Sequence, residues 1–487
     1  MNRRMVIRII SWVLLVEAVA MLPPLALSIG FVEIAARRAF AITIALCLAL
    51  SALTLIFPPR RKSLYATEGY VITALSWIII SVFGALPFIF SGEVPNFFSA
   101  LFETVSGFTT TGATILHDVE AVPRSLIYWR SFTHWLGGMG VLVFLLAIVT
   151  AGSGEGNLFY LMRAESPGYD VGKMTPRLRQ SAMTLYVIYL VLTVIQVVFL
   201  LCGGMSLFDS LCIAFGTAGT GGFSITNNGL AAYSPYCQSV CTVFMLLFGV
   251  NFSLYYLILC RQFRLVARDE ELWTYLGLFL GATVLITLNI MPMMKSGIAA
   301  FHHAAFQVSS IMTTTGFNTV DFDVWPSFSK AILILLMFIG ASAGSTGGGL
   351  KVSRLLIGLK TLKREANKIL HPRNVRVIRM SGHSLDERVV TGVSIFFIAY
   401  IILMCVSVLL VSLDGYGFET NFTAVLSCMS NIGPGLAQVG PTCNFDIYSN
   451  LSKLVLTFDM LFGRLEIFPM LILFMPTVWR RNAGLHR

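Results

Sequence analysis

The chain has 487 residues, of which 56% are hydrophobic and only 12% charged, with a mean hydropathy of +0.79. No soluble domain of that size carries such a composition on its surface, so the solvent is lipid and a water-soluble enzyme or binding module is excluded. The formal charge of +10 is not a nucleic-acid footprint, because Lys and Arg collect at alternate ends of apolar stretches.

A membrane-spanning helix takes about 20 apolar residues. In chain order, candidates lie near 5–30, 36–57, 68–90, 126–150, 181–203, 237–260, 272–294, 328–350, 388–412 and 448–478, the last long enough to be tilted or broken. Cations cluster at Arg3 and Arg4, at Arg60, Arg61 and Lys62, from Arg163 to Arg179, from Arg261 to Arg268, from Lys351 to Arg379, and at Arg480 and Arg481. The positive-inside rule makes those ends cytoplasmic and places both termini inside the cell. The opposite loops hold few cations, chiefly Arg37, Arg38, Arg124, Arg130, Lys295, Lys330 and Lys453. The apolar N-terminus flanks a long span with no small-residue cleavage site, so it reads as retained. The nine cysteines form no CxxC pair and no ligand spacing with the seven histidines; most read as small buried hydrophobes. Cys237 and Cys443 fall in outward-facing segments, where an oxidising compartment permits a bridge without the spacing demanding one.

Four times a short polar, glycine-bearing run follows a stretch too short to span: Thr110-Thr111-Gly112, Thr220-Gly221-Gly222, Thr314-Thr315-Gly316 and Asn431-Ile432-Gly433. Aligned on the four glycines, a small residue stands six places earlier in every copy, as Ser106, Gly216, Ser310 and Ser427. Phe97, Leu207, Phe301 and Phe418 stand fifteen places earlier. Each copy therefore reads as span, half-helix, filter-like run, span. The half-helix ends at the run, so the negative pole of its dipole favours a cation there. Threonine offers a carbonyl and a hydroxyl, and glycine permits the backbone angles that turn successive carbonyls inward. Non-helical backbone at membrane depth is tolerated only where protein buries it or it lines a watery path. The fold class is thus an all-α polytopic membrane protein with an N-terminal two-helix hairpin at 1–62. Pore repeats follow at 63–160, 175–268, 269–380 and 381–487 around one axis.

Gly344 to Gly349 contains G-x-x-x-x-G, but Leu350 and Lys351 follow where a phosphate loop needs Lys and Ser or Thr, and an apolar span precedes it instead of a strand. The stretch 341–349 reads instead as an interruption of the third repeat's inner helix, since glycines do not hold a helix. Arg464 lies inside the last span, where an arginine faces protein or water and is functional by default. Its partners are expected to be Asp459 or carbonyls of the glycine loop, because Glu466 faces another side of the helix; a structural ion pair between helices is the alternative. Glu103, Asp209, His302, His303 and Glu419 fall in or near the half-helices, and the acids are expected to cap helix dipoles. Asp118, Glu120, Asp321, Asp323 and Asp446 lie just outside the runs, either to concentrate cations or as solvated loop charge.

On these residues the chain resembles the Trk/Ktr/HKT superfamily of potassium transporters, and within it the TrkH type. The match is carried by Thr104 to Thr114, Ala214 to Asn227, Ser309 to Asp323, Ser427 to Gly440, Gly340 to Gly349 and Phe462 to Phe468, and by the N-terminal hairpin. The resemblance implies gated, channel-like potassium uptake across the bacterial inner membrane, with K⁺ as the transported ion and no covalently bound cofactor. It implies a homodimer of complete pores and a cytosolic, TrkA-like nucleotide-binding partner. It assigns the gate to Gly344, Ser345, Thr346, Gly347, Gly348, Gly349 and Arg464. Sodium-tending relatives carry serine where this chain has Gly112. The second and fourth runs depart from Thr-Thr-Gly, with Gly221 and with Asn431 and Ile432. The rival reading is a symporter coupling K⁺ to H⁺ or Na⁺, for which Glu17, Asp459 and Glu466 are the candidate proton carriers. No hydrolytic or metal-ligand grouping supports a membrane enzyme.

Overall fold

In lipid every backbone N–H and C=O needs a partner within the protein, and a helix supplies it locally. The computed structural model describes residues 3–55, 66–140, 178–294, 296–373 and 377–479. These are overwhelmingly helical, as the composition requires. Arg60 to Lys62, the basic stretch from Arg163 up to residue 177, Lys295, Arg480, Arg481 and the distal part of the 126–150 span lie outside the described residues.

The hairpin comprises Arg3–Ala20, Leu22–Gly30 and Ile34–Leu55. Its first arm is interrupted at Met21, where Pro23 and Pro24 open the second piece. Four outer helices follow, Ala66–Ser91, Leu178–Cys202, Glu270–Ile290 and Glu387–Val411. Each leads to a half-helix: Phe97–Phe108, Leu207–Gly219, Gly297–Met312 and Phe418–Ser430. The outer helices turn apolar side chains such as Val187, Val194, Leu288 and Ile398 outward toward lipid, whereas the half-helices are buried almost throughout their later turns.

Side-chain caps fix where three half-helices begin. Asn96 accepts from Phe98 N and Ser99 N, Ser206 from Asp209 N, and Ser296 from Ala299 N. Asp209 and Glu419 sit in first turns, as their dipole role requires. Glu103 does not; it lies in the middle of its half-helix, so the expectation that it caps the dipole is corrected.

Among the described residues, three inner helices are broken. That of repeat 2 bends by 87° between Pro235–Phe248 and Phe252–Leu259. That of repeat 3 stops at Ile339 and resumes as Val352–Leu370, and that of repeat 4 runs Asn450–Arg464 and then Phe468–Phe474. The repeat 1 helix is described as Arg124–Gly138. Arg130, Lys330 and Lys453 therefore stand on helices, not in the outer loops where sequence placed them. A two-residue antiparallel ladder, Arg379 and Met380 with Ser384 and His383, follows the basic helix. Cys237 is buried and Cys443 exposed, both as free thiols, so the permitted bridge is not formed.

Helix Arg124–Gly138 approaches its neighbours through bare backbone. A Cβ on Gly137 would lie 1.8 Å from Phe108 O, and one on Gly219 would lie 2.2 Å from His134 O. Small residues at membrane helix contacts allow this closeness. Gly219→Ala is expected to overpack the contact at a cost of about 1–3 kcal/mol, read as a lower unfolding temperature of the detergent-solubilised protein. Gly277→Ala, where nothing lies within 4 Å, is expected to leave that temperature unchanged or raise it.

Candidate functional site

The four predicted runs adopt one backbone conformation. Thr110, Thr220, Thr314 and Asn431 have φ of 55°, 56°, 57° and 57°, and the glycines two places on have 82°, 73°, 84° and 105°. Left-handed backbone is rare outside glycine and is an outlier for β-branched threonine, so it persists only where its surroundings impose it. Thr111, Gly221, Thr315 and Ile432, which separate these pairs, do not share the positive φ. This alternation in φ turns successive peptide groups to present the same edge to the same side.

Each left-handed residue closes its half-helix with two backbone bonds. Thr110 N donates to Gly107 O at 3.1 Å and Thr111 N to Ser106 O at 2.9 Å. In the second copy Thr220 N donates to Thr217 O at 3.1 Å and Gly221 N to Gly216 O at 2.8 Å; in the third, Thr314 N donates to Ile311 O at 3.1 Å and Thr315 N to Ser310 O at 2.8 Å. In the fourth copy Asn431 N reaches Cys428 O at 3.2 Å and Ile432 N reaches Ser427 O at 2.9 Å. This is a Schellman closure with threonine or asparagine where glycine is usual. The small residue six places before each glycine supplies the carbonyl for the second of these bonds.

The runs also close on one another. A Cβ on Gly112 would lie 2.0 Å from Gly221 O, one on Gly222 1.9 Å from Thr315 O, one on Gly316 2.0 Å from Ile432 O, and one on Gly433 2.8 Å from Thr111 O. Each glycine thus backs onto a carbonyl of the next copy, and the fourth returns to the first. The ring contacts run through Thr111, Gly112, Gly221, Gly222, Thr315, Gly316, Ile432 and Gly433, and Thr110, Thr220, Thr314 and Asn431 are the left-handed residues that lead into them. Thr110 Oγ1 and Asn431 Oδ1 are buried without a hydrogen-bond partner, which leaves hard oxygen atoms beside the carbonyls. Such a set suits a dehydrated monovalent cation.

The acids outside the ring are largely engaged. Asp118 accepts from Asn227 Nδ2 at 2.8 Å, and that bond holds its carboxyl below the usual range. Asp446 meets Lys453 and His117, and Lys330 lies 3.5 Å from Asp323 and 3.7 Å from Glu419.

The glycine loop lies against the ring and touches several copies. Gly348 N donates to Thr314 Oγ1 at 2.6 Å, and a Cβ on Gly348 would lie 2.3 Å from Ser430 O. Ser342 N reaches Gly249 O at 3.1 Å, Phe252 N reaches Gly344 O at 3.0 Å, and Thr346 Oγ1 reaches Phe248 O at 3.2 Å, all at the bend of the repeat 2 inner helix. Arg464 donates to Thr346 O at 2.8 Å and to Gly137 O and Gly138 O of repeat 1, the latter at 2.9 Å. Loop carbonyls were one of its two expected partners. Asp459, the other, instead accepts from Ser407 Oγ at 2.6 Å, and Glu466 pairs with Arg354. Carbonyls in the loop and at the end of helix Arg124–Gly138 are free to accept from a guanidinium, whereas Asp459 belongs to the contact with helix Glu387–Val411.

Residues 36–481 match the TrkH family, described as a cation transport protein. The chain belongs to the TrkH family. The Trk system potassium uptake protein TrkH of Salmonella typhimurium strain LT2 is 37% identical over 490 residues, covering 99% of this chain and 100% of that protein. The Trk system potassium uptake protein TrkG of Escherichia coli K12 is 34% identical over 419 residues, 85% of each. The crystal structure of the potassium transporter TrkH from Vibrio parahaemolyticus superposes with a TM-score of 0.87 at 34% identity, covering 99% of this chain and 100% of that one.

One anchor of the loop in this TrkH-family chain had no signal in the sequence. Glu271, in the first turn of an outer helix, reads as an acid at a helix N-terminus. Its Oε1 accepts from Ala343 N at 2.7 Å and Ser353 N at 3.0 Å, so one carboxylate holds both ends of the loop. Lys351 Nζ donates to Gly347 O across the loop itself. Glu271→Ala strands the buried amide of Ser353, at about 1–3 kcal/mol, and the half-buried amide of Ala343. It is expected to speed hydrogen exchange of amides 341–353 in the detergent-solubilised protein while those of the half-helices keep parental protection.

Proposed function

We propose that this chain takes up potassium across the bacterial inner membrane through a channel-like, K⁺-selective pore built by the four repeats at 63–160, 175–268, 269–380 and 381–487. The observation that carries this is the closed ring of glycine and carbonyl contacts, in which four alternating-φ runs meet in cyclic order. The names of the relatives support potassium as the ion. The stretch 341–349 acts as the gate, since it packs against the ring and is bonded to the repeat 2 bend and, through Arg464, to repeat 1. A cytosolic TrkA-like nucleotide-binding subunit acts on the basic helix Val352–Leu370 that continues the loop, and two copies form the working dimer with both termini inside.

A symporter would need carboxyls placed to relay protons. Asp459 is bonded by Ser407 and Glu466 by Arg354, while Glu17 is buried beside Gly84 with neither carboxyl oxygen hydrogen-bonded; the three sit in separate contacts and form no chain, which favours the pore reading. Flux of K⁺ into liposomes under imposed K⁺, Na⁺ and pH gradients tests it. Uptake that follows the K⁺ gradient alone supports a pore; uptake that stops without a proton or sodium gradient overturns it.

Gly112→Ser adds a side chain where φ is left-handed and a Cβ meets Gly221 O. It is expected to lower the K⁺/Na⁺ flux ratio by about tenfold or more, since each displaced carbonyl changes the ion's coordination. Arg464→Ala removes one charged bond to the loop at Thr346 O and two to repeat 1 at Gly137 O and Gly138 O, each of about 1.5–3 kcal/mol. Basal K⁺ flux is expected to rise without a change in selectivity. Arg464→Lys keeps the charge but not the planar fork and is expected to restore only part of the restraint. Parental flux in a correctly assembled Arg464→Ala protein would remove this residue from the gate.

A further inference from the structure

The ring has nearly equivalent backbone in its four copies, but one of its junctions is backed by buried charge. Nine places before the filter glycines stand Glu103, Ile213, Gln307 and Ala424, so only the first half-helix carries an acid there. Glu103 is paired with Arg130 of the following inner helix at 2.5 Å, with side chains 0% and 2% exposed. Neither belongs to the ring, the loop or the outer mouth.

The two side chains reach the filter runs of two different repeats. Glu103 Oε1 accepts from Thr114 Oγ1 at 3.0 Å, and its Oε2 accepts from Ile115 N at 2.9 Å. Arg130 donates to Ser224 O at 3.0 Å, and its guanidinium lies 3.4 Å from the ring centroid of Phe223. Thr114 is two residues past Gly112 and Ser224 two residues past Gly222, so the pair grips both runs at the same level. One turn along the same helix, His134 repeats the pattern. Its Nδ1 is 2.7 Å from Gly107 O and its Nε2 is 3.3 Å from Phe223 N. A carbonyl only accepts and an amide only donates, so the imidazole carries its proton on Nδ1.

A buried ion pair is a poor way to add stability, because desolvating two charges offsets much of their attraction, and apolar replacements are often as stable. What it does supply is fixed direction, with Glu103 accepting along three lines and Arg130 donating along two. We propose that Glu103 and Arg130 are a positioning pair that sets ion selectivity by holding the filter runs of repeats 1 and 2 in register. This rests on the pore reading above. Discrimination between K⁺ and Na⁺ depends on the number and placement of carbonyls around the ion. At the repeat 1 to repeat 2 junction, where Gly112 backs onto Gly221 O, that placement passes through this pair.

The test uses the full-length protein in liposomes, with K⁺ and Na⁺ fluxes measured on the same preparation. Glu103→Gln keeps the volume but turns one acceptor into a donor facing Ile115 N or Arg130. It is expected to lower the K⁺/Na⁺ flux ratio by about tenfold, the effect of losing one charged hydrogen bond, while K⁺ flux persists. Arg130→Met is expected to do the same, and Glu103→Asp to retain part of the parental ratio. Glu68→Gln, a buried acid in the first turn of the outer helix Ala66–Ser91, is expected to retain all of it. A parental ratio in correctly assembled Glu103→Gln and Arg130→Met proteins overturns the proposal and leaves the pair a structural one. Where those two fail to assemble, Glu103→Asp and Arg130→Lys decide: a lowered ratio supports the proposal and a parental ratio in both overturns it. If the parent itself passes K⁺ and Na⁺ equally, the pore reading fails and the proposal falls with it.

Discussion

Four non-helical runs are brought together in the interior of this protein, with almost no room between their backbones. They meet in a contact between bare backbone and bare backbone, each filter glycine backing onto a carbonyl of the next repeat. No side chain fits in that contact. It forces the left-handed backbone at each glycine and at the residue two places before it, including three threonines for which that conformation is unfavourable. It also fixes the half-helices, which must end in a Schellman closure at the same depth in each repeat, and it requires a small residue where the closure begins. The glycines of helix Arg124–Gly138 serve the same end, allowing one inner helix to lie directly on two half-helices.

Charge within the membrane is used sparingly and for direction. Arg464 donates to carbonyls of the loop and of the end of helix Arg124–Gly138, Lys351 donates to a carbonyl of its own loop, and Glu271 accepts from two amides at the loop's ends. Each charged group is thereby satisfied by backbone that helix interruption leaves without its usual partner, so the breaks and the charges account for each other. The same arrangement connects the loop to the basic helix Val352–Leu370. Glu270, next to Glu271, pairs with Lys360, and Arg364 makes a two-pronged pair with Glu387. A displacement of the basic helix Val352–Leu370 therefore acts on the outer helices of repeats 3 and 4 as well as on the loop it continues. This is the physical route by which a cytosolic subunit is proposed to move the gate.

Much of this was legible in the residues before any coordinates. Lipid-length apolar stretches mark helices because lipid leaves the backbone no alternative, and the outer helices fall where hydropathy puts them. The recurrence of a glycine after a short apolar stretch marked the four runs that share the left-handed turn, since that turn admits few residue types. The break of the third inner helix was visible in Gly344, Gly347, Gly348 and Gly349. The breaks in the second and fourth carried weaker signals, Gly249 before the capping Asn251 and Pro469 at the start of the last piece, each a single residue where the third has four glycines.

The sequence alone determined the solvent, the helical class, the fourfold recurrence and the residue types available to ligate an ion, because composition, length and glycine placement act locally along the chain. Only the tertiary structure decided which polar groups meet. Arg464 was readable as a group needing acceptors, but its choice of Thr346, Gly137 and Gly138 over Asp459 depends on which helix breaks face it. Glu103 looked like a dipole cap and Arg130 like a loop cation, and folding brings them together across 27 residues to form a buried pair. Glu271 carried no signal, since an acid in the first turn of a helix is ordinary until a loop from 72 residues away presents its amides. Hydrogen bonds of this kind join partners far apart in sequence, and no local periodicity records them.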